Sequence, residues 1–96
     1  MSDLHFSWDA RKAAANLHNH GVSFEEAETV FFDTAAVQFW DDAHSEFAED
    51  RFLLLGMSAY ARLLLIVYCE RDAGNTLRII SARKASGPER DQYRRG

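Results

Sequence analysis

The stretch RFLLLGMSAYARLLLIVYCERDAGNTLRIISARK, residues 51–84, decides the architecture. Three apolar runs, at about Arg51 to Met57, Arg62 to Cys69 and Thr76 to Arg83, are separated by Ser58-Ala59-Tyr60-Ala61 and by Arg71-Asp72-Ala73-Gly74-Asn75. Small and polar residues of this kind interrupt strands and turn the chain. Connections so short join antiparallel neighbours, because a parallel pair needs a crossover of a dozen residues or more. Just upstream, from Ala35, the pattern Val37-Gln38-Phe39-Trp40 suits a fourth strand. The longest apolar run, Leu63 to Tyr68, is far too short to cross a bilayer and reads as a buried strand.

Outward from this block the period becomes helical. Phe6 and Trp8 share one face of a short extended segment that stops at Asp9, a good helix N-cap. Ala10 to His20 is rich in helix formers, and Gly21 stands where a left-handed residue ends a helix. Ala13 and Leu17 mark its expected buried side. Ser23-Phe24-Glu25-Glu26 is a capping box that opens a second helix with Phe24, Ala27 and Phe31 at helical spacing, ending near Asp33. Ser86-Gly87-Pro88-Glu89 is another such box, opening a short helix with Arg90, Tyr93 and Arg94. The 96 residues therefore predict one α+β domain over 1–96: an antiparallel sheet of about four strands, two N-terminal helices and a short C-terminal one.

Composition narrows the function. Residues Met1 to Trp8 never form the apolar run of a signal peptide, which points to a cytoplasmic protein without a membrane span. Cys69 stands alone, so an intrachain disulfide or cysteine-rich metal site is excluded and a buried thiol is expected. His18 and His20 point to opposite sides of a helix, and His5 and His44 have no partner at ligand spacing. The Asp41, Asp42, Glu46, Glu49 and Asp50 group lacks the glycine and spacing of a calcium loop. Without a phosphate-binding glycine loop or dinucleotide fingerprint either, no metal or other cofactor is expected. The net charge of −4 is divided unevenly: residues 1–50 carry −9 and residues 77–96 carry +4. A basic end attracts phosphate and an acidic region a basic partner.

Two groups of residues have chemical potential. Lys12, Asn16 and His20 recur at i, i+4 and i+8, so they stack along one helix face that either lines a cleft or is simply solvated. In Leu77-Arg78-Ile79-Ile80-Ser81-Ala82-Arg83-Lys84, strand alternation puts Arg78, Ile80, Ala82 and Lys84 on one face and Arg83 on the other unless a bulge intervenes. One of the two arginines is then expected to be a structural ion-pair partner, with Glu49 or Asp50 as candidates.

The segments Phe6-Ser7-Trp8-Asp9, His20-Gly21-Val22-Ser23-Phe24-Glu25-Glu26-Ala27, Glu49-Asp50-Arg51 and Arg78-Ile79-Ile80-Ser81-Ala82-Arg83-Lys84-Ala85 follow one another in an order that resembles the BrnT family of toxins. Asn19 departs from the lysine usual before the His-Gly pair. The resemblance implies a RelE-like fold, translation halted by metal-independent RNA cleavage, and a BrnA-type antitoxin that contacts operator DNA, so that the toxin meets DNA only indirectly. Such cleavage needs a proton-transfer group and cations for the developing phosphorane charge. On the matching positions the catalytic candidates are Arg51, Arg78, Arg83 and His20, with Glu49 as an alternative base. Lys12, Lys84 and Tyr93 are candidates for RNA binding. The rival reading is an inactive family member that only binds its antitoxin as a co-repressor; the acidic first half and Asn19 favour it, the three basic residues of the last strand oppose it.

Overall fold

The structure is a computed structural model that describes residues 4–41 and 50–96. Its elements run β1 (His5–Ser7), α1 (Ala10–His20), α2 (Phe24–Val30), β2 (Val37–Trp40), β3 (Arg51–Met57), β4 (Leu63–Arg71), β5 (Thr76–Lys84) and α3 (Gly87–Arg95), with a 3-10 turn at Asp72–Gly74 before β5. The helices and strands fall where the periodicity predicts, in an α+β arrangement. Strands β2 to β5 form the expected antiparallel meander, in which Leu55 faces Leu65 and Leu65 faces Arg83. The sheet nevertheless has five strands, in the order β1-β5-β4-β3-β2, because the short N-terminal segment pairs in parallel with β5. Almost the whole chain serves as the crossover between these two strands, which is what a parallel pair requires.

Two small cores flank the sheet. On one side α1 and α2 cover Leu54, Leu64, Ile66, Tyr68, Leu77, Ile79 and Ala82, joined by Val22, Phe24, Ala27 and Val30. On the other, Leu55, Leu63 and Leu65 pack with Phe39, Leu53, Ala85 and Tyr93 beneath α3. Cys69 is buried, as its isolation predicts.

Helix α1 packs Ala13 against the core as expected, but Leu17 does not join it. Leu17 is 53% exposed, while Asn16 is buried. The Asn16 amide donates to the carbonyls of Val22 (2.9 Å) and Ala82 (2.8 Å), and its oxygen accepts the Ala82 N–H at 3.0 Å. This clamp fixes the helix to β5 with every polar atom satisfied, as burial demands. The Lys12-Asn16-His20 stripe is thus a structural rivet between two exposed ends.

A bulge corrects the alternation of β5. Val67 faces Ser81 but Tyr68 faces Ile79, so Ile80 is the extra residue. Leu77, Ile79 and Ala82 consequently share the helix-packed face. Arg78, opposite Cys69, and Arg83, opposite Leu65, share the other, where strict alternation would have separated them.

Gly56 permits the close seat of α2 and the following turn on β3. A Cβ there would meet Val30 Cγ1 at 2.8 Å and Ala36 Cβ at 2.9 Å. Gly56→Ala is therefore expected to lower stability by about 1–3 kcal/mol, read as a drop in the denaturant midpoint with an unchanged slope.

Candidate functional site

At the end of the sheet where the β3–β4 turn meets α3 lies a cleft of about 400 Å³ lined by Met57, Ala61, Arg62, Leu63, Lys84, Arg90, Tyr93 and Arg94. Four of the eight lining residues are cations, on a chain whose net charge is −4. Three devices shape this cleft.

The first is Glu26. In α2, Ser23 caps the helix by accepting the Glu26 N–H at 3.0 Å, but the Glu26 side chain does not return to the cap. It turns into the interior, 4% exposed, and receives Ser58 Oγ (2.7 Å), Arg62 Nε (2.9 Å) and Arg62 Nη2. Arg62 beside it holds the carboxyl below its ordinary pKa despite burial, with Ser58 assisting. Arg62 also donates to the Gly21 carbonyl at 3.0 Å, which ties the turn to the end of α1. Only half of the expected capping box therefore forms, because the Arg62 guanidinium outcompetes one backbone N–H for the carboxylate.

The second device is the start of α3. Here the box is complete: Ser86 N–H donates to Glu89 Oε1 (2.8 Å) and Glu89 N–H to Ser86 Oγ (3.4 Å). Glu89 also receives both Arg83 nitrogens at 2.8 Å. The Arg83 guanidinium, with the Ser86 N–H, pulls the Glu89 carboxyl down to about 2. Arg83 is therefore the structural ion-pair member of the two β5 arginines, with Glu89 as its partner; of the two candidates named from sequence, Asp50 makes no ion pair with it and Glu49 lies outside the described residues. A depressed carboxyl stabilises the fold above its unfolded value of 4.5, and this contribution is lost as pH falls from 4.5 toward 2. Glu89→Gln should flatten the acid limb of the stability curve in that window, measurable by urea melts at graded pH.

The third is Asp33. One oxygen accepts the Ala35 N–H at 2.9 Å, while the other accepts the Met57 N–H at 2.8 Å and the Tyr93 hydroxyl at 2.7 Å. Burial opposes its ionisation, but these hydrogen bonds prevail and keep its pKa below the usual value. The Asp33 carboxylate in turn raises Tyr93, so the phenol stays protonated with its proton committed to Asp33. Tyr93 then offers the cleft a fixed ring.

Lys84, Arg90 and Arg94 form no ion pair among the described residues, so their charges remain available to a ligand. Of the residues singled out from sequence, the cleft collects Lys84 and Tyr93. His20, exposed, is next to the Gly21 carbonyl held by Arg62, at the border of the same end of the molecule. Arg51 and Arg78 flank Cys69 on neighbouring strands, six residues along β4 from the cleft-lining Leu63, about 20 Å away. Lys12 belongs to that far end too, since it and Arg78 both act on Asp9. Glu49, like Asp42, His44 and Glu46, lies outside the described residues. Sequence reading missed Arg62, Arg90 and Arg94 as lining residues. The last two were legible as i, i+4 neighbours on a basic helix; Arg62 was not, because its placement depends on Glu26 folding inward from 36 residues away.

A basic cleft with a fixed aromatic ring has the chemistry to take a phosphate-bearing, base-bearing ligand. Residues 8–89 match the model of the BrnT ribonuclease toxins of type II toxin–antitoxin systems. The chain belongs to this family. A crystal structure of the Brucella abortus ribonuclease toxin BrnT is similar in fold, with a TM-score of 0.65 and 22% identity over 86% of this chain and 97% of that one. No curated protein sequence matches. As a BrnT-family member the chain is a ribonuclease toxin of a type II system, a class defined by pairing with an antitoxin. No helix among the described residues is long and apolar enough to cross a membrane.

Proposed function

We propose that this toxin halts translation by cleaving RNA without a metal ion, and that the cleft between α3 and the β3–β4 turn holds the substrate. The observation that carries the reading is the convergence of Arg62, Lys84, Arg90 and Arg94 around one cavity. Backbone phosphates supply the charge such a site takes, and charge-assisted bonds from arginine suit their oxygens. The same cations could neutralise a pentavalent phosphorane, and they would repel a divalent ion. Among the described residues no group of three His, Cys, Asp or Glu is placed to hold one.

The Tyr93 ring serves as a stacking platform for a base, since its hydroxyl is occupied by Asp33. His20 is the proton-transfer candidate at the cleft border. Arg51 and Arg78, with Lys12, form a second basic zone, suited to a flanking phosphate of a bound strand. The antitoxin is proposed to be of the BrnA type, with operator DNA reached through it.

The test is RNA integrity after expression of the toxin alone, followed by cleavage assays of the purified protein in EDTA. Cleavage unchanged by the chelator supports the reading. Cleavage abolished by it refutes metal independence, and intact RNA with unimpaired growth would leave the antitoxin-binding role in its place.

A further inference from the structure

Beside the basic cleft a second depression, about 490 Å³, is lined by Thr29, Phe32, Asp33, Met57, Ser58 and Ala59. Met57 borders both, so the two form one continuous surface, cationic at one end and largely apolar at the other. The apolar end is conspicuously uncovered. Phe32 is 70% exposed, Tyr60 in the adjoining turn is 72% exposed and Met57 is 36% exposed. Fold stability does not call for this. The turn is already anchored by the Ala59 N–H on Thr29 Oγ1 (2.9 Å) and by Ser58 on Glu26, and Phe32, although it meets Phe6 at a centroid distance of 6.2 Å, keeps most of its ring in solvent.

We propose that this surface is the docking site of the antitoxin, which lays one segment along it: carboxylates over Lys84, Arg90 and Arg94, then apolar side chains past Met57 onto Phe32 and Ala59. This rests on the cleft being the RNA site. The occupant follows from complementarity. A strand of RNA satisfies the cationic end but has no use for an apolar groove whose floor carries the Asp33 carboxylate. A purely acidic segment satisfies the cleft and leaves the rings in water. A type II toxin is paired with a protein that must hold it firmly, and an acidic-then-apolar segment covers both halves at once. Docking and inhibition thereby separate: the apolar end supplies anchorage, the acidic end blocks substrate.

The test uses the full-length toxin co-expressed with the product of the reading frame adjacent to its own gene. Phe32→Glu and Ala59→Glu each place a carboxylate in the apolar end without touching a cleft cation; both sites are open enough to keep the fold, which a cooperative thermal melt checks. Both variants are expected to arrest growth as the wild type does, to escape neutralisation, and to bind the co-expressed product about a hundredfold more weakly in titration calorimetry. Variants that arrest growth and are still neutralised with wild-type affinity would overturn the docking site alone. Folded variants that no longer arrest growth would assign the groove to RNA and overturn it as well. A wild type that never arrests growth, or is not relieved by the adjacent product, would remove the functional reading on which the proposal rests.

Discussion

Lys84→Ala and Arg94→Ala are each expected to leave the melting temperature of the domain nearly unchanged and to reduce RNA cleavage on the order of a hundredfold, with the double variant no longer toxic. Stability should hold because neither side chain makes an ion pair among the described residues and both are exposed. Activity should fall because a donor that meets transition-state charge contributes on the order of 3 kcal/mol, about two powers of ten in rate. Salt dependence separates this role from a merely structural one. Each phosphate contact removed should flatten the slope of log affinity against log salt by about 0.7 for a single strand. The experiment is single-turnover cleavage of a short RNA across a salt series, beside the melts. If both variants cleave at the wild-type rate, the active centre lies elsewhere, and the Arg51 and Arg78 zone becomes the next place to look.

Much of the fold was legible because its determinants are local. Asp9, Gly21, Ser23 and the Ser86-Glu89 box each act within a few residues, and all mark helix ends as expected. What was not legible depends on distant pairings. The Ile80 bulge exists only because β4 and β5 slip register between Val67 and Tyr68, and it reverses which side every later β5 residue faces. Asn16 looks like a solvated polar residue until Ala82, 66 positions away, supplies both a donor and an acceptor. The addition of β1 to the sheet is also non-local, since three residues with no strong strand signal pair only because the edge of β5 is available. For the site the same division holds: the basic last strand and Tyr93 stand out in the sequence, whereas the members that organise the cleft, Glu26, Asp33 and Arg62, are recognisable only once the turn after β3 is folded against α2.

That organising role yields the largest expected stability effect. Arg62→Met should destabilise the domain at neutral pH on the order of 3 kcal/mol, because it strands the nearly inaccessible Glu26 carboxylate with only the Ser58 hydroxyl. Arg62 is itself about one-third exposed, which keeps the loss toward the lower end of the range for buried pairs. The pH dependence identifies the cause. In the wild type the Glu26 pKa is depressed by Arg62, so the pair stabilises the fold above 4.5 and loses that contribution as pH falls through the folded value. In the variant the largest group opposing burial is gone, leaving only the Ser58 hydroxyl and the Lys84 charge, so the carboxyl titrates higher than in the wild type and protonation relieves part of the cost of the buried charge. The gap between variant and wild type should therefore be widest near pH 7 and narrow on acidification, whereas loss of simple packing would give a gap that does not change with pH. Removing the carboxylate charge as well should restore part of the loss: Glu26→Gln with Arg62→Met is expected to be more stable at pH 7 than Arg62→Met alone. Urea melts of the wild type, both single variants and the double variant at pH 7 and pH 5 complete the cycle. A gap that is independent of pH, or a double variant that is merely the sum of its parts, would mean that Glu26 does not depend on Arg62, and the β3–β4 turn would need another account of how it holds the cleft open.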